Sequence, residues 1–124
     1  MGLTATSEAM KRRTKQLALV VIRLCRTLPQ SPEARIINRQ RLRSATSVAA
    51  NYRAVSRARS TADFASKPGL VLEEADETLF WLELLVDAGV ARREQINVPL
   101  DEANQLVSIF VASLRTVKGL KSEI

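Results

Sequence analysis

Met10, Thr14, Leu17, Val21, Leu24 and Leu28 recur at intervals of four and three residues. This alternation has the period at which one stripe of an α-helix keeps facing a neighbouring helix. It commits residues 8–28 to a helix with an apolar seam, and the seam requires a partner helix to cover it. Ser7 is the expected N-cap, with Glu8 in the first turn. Leu28-Pro29-Gln30-Ser31-Pro32 ends the segment, because each proline disfavours helical backbone in the residue before it.

Three further segments repeat the pattern. Residues 33–59 place Ile37, Ala45, Val48, Tyr52 and Val55 on one side. Residues 61–88, capped by Ser60 or Thr61 with Asp63 in the first turn, carry Phe64, Val71, Leu72, Ala75, Leu79, Leu82 and Val86, and Gly89 stands where a terminating glycine belongs. Residues 99–118 start at Pro99 beside Asp101 and Glu102, set Leu100, Asn104, Val107, Val111, Leu114 and Lys118 in a seam, and stop at Gly119. Short links make successive helices antiparallel neighbours. The expected fold is all-α, a single antiparallel up-down four-helix bundle domain over residues 1–124. Four glycines and four prolines offer too little turn chemistry for a many-stranded β fold. One local conflict is Lys67-Pro68-Gly69, inside the third pattern. The apolar period keeps its phase across Pro68, which favours a kinked but continuous helix over a separate short turn.

Histidine is absent, which removes the commonest general base and metal ligand together. No catalytic residue, metal site or cofactor is expected, and the chain reads as a non-enzyme. Glu73, Glu74, Asp76 and Glu77 form a carboxylate cluster that suits a solvated helix face better than a metal site. Cys25 is the only cysteine, beside the first seam, and reads as a small buried hydrophobe in a reducing, cytoplasmic protein. Lys11, Arg12, Arg13 and Lys15 break any early apolar run, so neither a signal peptide nor a membrane association is expected.

The net charge of +6 is unevenly placed. Residues 1–60 hold 13 Lys and Arg against 2 Asp and Glu, whereas residues 61–124 hold 6 against 11. Either the halves neutralise each other in the bundle, or a basic surface survives to meet a polyanion. On the second helix, Arg35, Arg39 and Arg43 fall near one azimuth, and Arg53 and Arg57 return to it five turns later. Such a line can clamp phosphates, since guanidinium pairs bidentately with their oxygens. The alternative is a face that is solvated or tied to acidic neighbours. No aromatic residue interleaves with it, so any nucleic-acid contact is expected to be backbone-directed and salt-sensitive. Arg41 and Arg59 point instead to the apolar side of this helix, where a charge needs a partner. Glu77 is the first choice of partner for Arg41.

Leu79-Phe80-Trp81-Leu82-Glu83-Leu84-Leu85-Val86 is apolar at all but one position. Leu79, Leu82 and Val86 can face the interior, leaving Phe80, Trp81, Leu84 and Leu85 for an oligomer interface. The alternative is a broad core in which the helices cross at a wide angle.

The segment from Gln40 to Ala54, with Ser47, Asn51 and Tyr52, resembles the second-helix signature of bacterial four-helix bundle proteins first met as products of intervening sequences in 23S ribosomal RNA genes. The similarity continues through Ser56–Ser60, Asp63-Phe64 and Glu73–Leu85, and covers roughly residues 10 to 118. Arg53-Ala54 departs from the Glu-Gly common at that place, and Pro68 from an aliphatic residue. The resemblance implies a ring-like homopentamer with no known enzyme activity. A distantly similar bundle, the accessory variability protein of diversity-generating retroelements, implies RNA or DNA and a reverse transcriptase as partners. The expected function is therefore an oligomeric scaffold with a basic face that contacts nucleic-acid backbone. The alternative is a protein–protein adaptor whose charges serve assembly and docking.

Overall fold

The computed structural model describes the backbone of residues 2–57 and 61–123, and the side chains of residues 7–57 and 69–116. Four α-helices follow in chain order: α1 (Gly2–Thr27), α2 (Pro32–Ser56), α3 (Thr61–Asp87) and α4 (Arg93–Glu123). No strand occurs among the described residues. Each helix packs on its neighbours in the chain, and α1 closes the ring onto α4. This is the arrangement of an up-down four-helix bundle.

The first seam lies where its spacing puts it. Met10, Thr14, Leu17, Val21, Leu24 and Leu28 are all buried. Thr14 is tolerated there because its hydroxyl donates to the Met10 carbonyl at 2.9 Å, which leaves no orphaned polar atom. Ser7 lies inside α1 rather than at its cap. The helix start is earlier because residues 2–6 contain no breaker other than Gly2.

Ser31 opens α2 as a true N-cap, its side chain accepting from the Ala34 amide, with Pro32 at the first helical position. Ile37, Ala45, Val48 and Val55 are buried and Tyr52 is half-buried. The Tyr52 ring lies 5.9 Å from that of Phe110, tying α2 to α4.

The backbone of α3 runs unbroken from Thr61 through Pro68. The expected cap at Ser60 and the side chains of Phe64 and Pro68 lie outside the described residues. The end of α3 is a Schellman motif: Gly89 adopts φ +74°, its amide donates to the Val86 carbonyl, and the Val90 amide reaches back to that of Leu85.

The fourth helix corrects the sequence reading at its start, its core face and its end. It begins at Arg93, not Pro99, and its core face is Ile96, Ala103, Leu106 and Phe110. Asn104 of the expected seam is exposed, and Leu100, Val107, Val111 and Leu114 are only half-buried. Gln95 explains the early start: its side chain accepts from the Arg92 amide at 2.9 Å, which caps the helix about two turns before the proline. Pro99, near the helix start, forfeits one hydrogen bond. Gly119 likewise lies inside α4 rather than ending it.

Candidate nucleic-acid interface

Arg35, Arg39, Arg43, Arg53 and Arg57 are all exposed, but they do not form one continuous free line. Arg43 turns to α3, where Nη2 bonds Glu77 and Nη1 lies 3.3 Å from Glu74. The Arg43 hydrogen bond holds the Glu77 carboxyl below its ordinary range, and Glu77 in turn raises Arg43. The middle of the stripe is thus neutralised within the bundle. At 100° per residue Arg43 already stands about 80° from Arg35 and Arg53, and from that edge of the stripe it reaches the α3 carboxylates.

Arg53 and Arg57 line a groove of about 660 Å³ between α1 and α2. Lys11, Arg12 and Lys15 of α1 form its other wall, over a floor that includes Ala18, Leu19, Ile22, Ala49 and Ala50. Glu8 is the one carboxylate in the lining, and Lys11 Nζ already holds it at 2.6 Å. That hydrogen bond keeps the Glu8 carboxyl below its ordinary value. The α1–α4 cleft differs in charge. There Arg13 bonds Glu102 at 2.8 Å and Gln105 at 2.9 Å, and Asp101 adds a further negative charge. Among the described residues, the α1–α2 groove thus gathers five basic side chains about one carboxylate. The sequence reading found Arg53 and Arg57 but missed Lys11, Arg12 and Lys15. Their signal was the Lys11-Arg12-Arg13-Thr14-Lys15 run flanking the buried seam residues Met10, Thr14 and Leu17.

The expected Arg41–Glu77 pair does not form. Arg41 is fully buried, as its azimuth requires, but it meets no carboxylate among the described residues. Its Nη2 donates to Asn38 Oδ1 at 2.7 Å and to Cys25 Sγ at 2.8 Å. Glu77 is taken by Arg43, and it also accepts from Trp81 Nε1 at 3.2 Å. Arg43, two residues further along and exposed, reaches the carboxylate at lower desolvation cost. Burial pulls the Arg41 pKa below its ordinary value. Arg59 lies outside the described residues.

The aromatic run divides differently from the expectation. Phe80 is 52% exposed, Trp81 and Leu84 are half-buried, and Leu85 is fully buried in the core. Leu85 is therefore not an interface residue: with Leu82 it fills the face turned to the bundle, and Leu79 and Val86 flank it. Phe80 and Trp81 meet edge to face, with centroids 5.0 Å apart. Ile36 of α2 is also exposed, at 64%. It precedes Arg43 by one heptad as Leu84 follows Glu77, so the register joining Arg43 to Glu77 sets Ile36 opposite Leu84.

Among the described residues no cluster of acidic or cysteine side chains converges as metal ligands, and no helix is long and apolar enough to cross a membrane. No curated protein matches the chain. A solved protein of unknown function from the S23 ribosomal protein family of Bacteroides thetaiotaomicron VPI-5482 shares its fold with a TM-score of 0.77 and 30% identity, over 85% of this chain and 97% of that one. Residues 8–112 match the family described as 23S rRNA-intervening sequence protein. The match spans all four helices and includes the Arg41 and Arg43 positions, and the chain belongs to the 23S rRNA-intervening sequence protein family.

Proposed function

We propose that this protein is a non-enzymatic, oligomeric four-helix scaffold that binds the phosphate backbone of RNA or DNA through the groove between α1 and α2. The observation that carries the reading is the groove's lining: Lys11, Arg12, Lys15, Arg53 and Arg57 against a single, already bonded carboxylate. Phosphates are the partner such a wall attracts, by charge and without reading bases. Arg35 and Arg39 extend the same positive field along α2. The surface formed by Ile36, Phe80, Trp81 and Leu84 supports assembly, and five copies is the number the family resemblance implies. Repetition of the groove around a ring would join weak contacts by avidity. The cytoplasm, where a lone thiol stays reduced, is the proposed compartment.

The alternative, an adaptor that docks only on protein, draws support from Arg43, whose charge serves helix pairing. A titration of labelled single strands and duplexes of RNA and DNA distinguishes the two. Backbone binding present at about 50 mM salt and falling steeply by about 200 mM supports the scaffold reading. Absence of binding at the lower salt favours the adaptor.

A further inference from the structure

The positive charge of Arg41 is fully buried and lacks an anion among the described residues. Its Nε and Nη1, together with Asn38 Nδ2, are buried without hydrogen-bond partners. Its Nη2 is aimed at Cys25 Sγ, 2.8 Å away. Cys25 itself is only partly buried. A polar side chain with spare donors, held in the core, thus points at the one nucleophilic atom beside it. An uncompensated guanidinium favours negative charge on oxygens attached to the sulfur.

We propose that Cys25 is an oxidation site for hydroperoxides, and that Arg41 binds the oxygens it acquires. In the first step the sulfur attacks one oxygen of hydrogen peroxide. The S–O bond forms as the O–O bond breaks, the thiol proton leaves with the departing hydroxide as water, and the sulfur becomes a sulfenic acid. The sulfur is oxidised by two electrons and the peroxide is reduced. A second equivalent gives the sulfinic acid, whose carboxylate-like anion supplies the acceptors that the Arg41 nitrogens lack. Oxidation at most buried cysteines disrupts packing. Here it completes an ion pair, so it should stabilise the bundle.

The test is to treat the full chain with a small excess of hydrogen peroxide, locate added oxygen by peptide mass mapping, and compare melting temperatures. Mapping separates Cys25 from the other oxidisable sulfurs, Met1 and Met10. Cys25 is expected to gain one, then two oxygen atoms, and the oxidised protein to melt several degrees above the reduced one. Cys25→Ser removes the shift. Arg41→Met should slow the oxidation about tenfold, the effect of losing a nearby charge from the barrier. Cys25→Asp, which places a carboxylate at the site without peroxide, should melt above Cys25→Ser, so the idea remains testable if Arg41→Met does not fold. A lower melting temperature on oxidation, or Cys25→Asp melting below Cys25→Ser, would overturn the proposal. Equal oxidation rates with and without Arg41 would do the same.

Discussion

Arg43 of α2 and Glu77 of α3 form the charge-assisted bond that fixes the register of these two helices at the surface, while one residue further along each helix the hydroxyls of Ser44 and Thr78 meet at 2.9 Å in the core. The bond takes the central arginine out of the basic stripe. It also sets Ile36 opposite Leu84.

The pair should be weak and acid-sensitive. A double-mutant cycle on Arg43→Ala and Glu77→Ala is expected to give a coupling below about 1 kcal/mol, since both side chains are at least a third exposed. The folded pKa of Glu77 is depressed below 4.5. Its contribution is therefore present above the unfolded value and lost as pH falls through the folded one. Comparing wild type with Glu77→Gln by denaturant titration should show a constant difference near neutrality that vanishes in acid. A difference that grows on acidification contradicts the assignment.

Arg41→Met should be close to neutral or stabilising, in contrast to the loss of several kcal/mol expected had Arg41 paired with Glu77. No carboxylate is stranded by the change. Only Asn38 Oδ1 and Cys25 Sγ lose a donor, and an uncompensated buried charge is removed. Chemical denaturation checks it, and a cost above about 3 kcal/mol would show a missed anionic partner.

The phase of α4 is testable by truncation. Ile96→Ala should cost about 2–5 kcal/mol, because Ile96 is fully buried. Leu100→Ala, at a half-buried position of the sequence-derived seam, should cost less than half as much. Equal costs would restore the seam read from the sequence.

Assembly is expected to depend on the α2–α3 surface. Trp81→Glu and Ile36→Glu should each shift the mass measured by light scattering towards the monomer, since a charge in a dry interface is unpaired. Val111→Ala should not. A wild-type monomer at micromolar concentration would remove the oligomer from the account.

Helix identity was readable because spacing and breakers agreed. The seam from Met10 to Leu28 is the clearest case, and Gly89 marked the end of α3 by the one backbone conformation that favours glycine. The start and phase of α4 were not readable from Pro99. A proline suits a first turn, but Gln95 capped the helix upstream and brought Ile96 into the core. Two apolar stripes compete on α4, and only the packing of Ala103 and Phe110 against the other helices decides between them. The candidate site was half readable. Arg53 and Arg57 were found on α2, but a groove belongs to two helices, and no pattern within α2 points to Lys11, Arg12 or Lys15. Arg41 was rightly placed in the core. Its partner was missed because Glu77 was equally reachable from Arg43, which meets it without leaving water.

The most direct test is the salt dependence of nucleic-acid binding for three proteins: wild type, the groove reversal Lys15→Glu with Arg53→Glu, and Arg43→Glu. Wild type should bind labelled RNA or DNA at about 50 mM salt, with affinity falling linearly in log–log form. The groove reversal should abolish binding or flatten the slope by about two units, one for each phosphate deprived of its cation. Arg43→Glu should leave the slope nearly unchanged, because that arginine is spent on Glu74 and Glu77. No binding by wild type at low salt, or a groove reversal that binds as wild type does, would contradict the proposed interface.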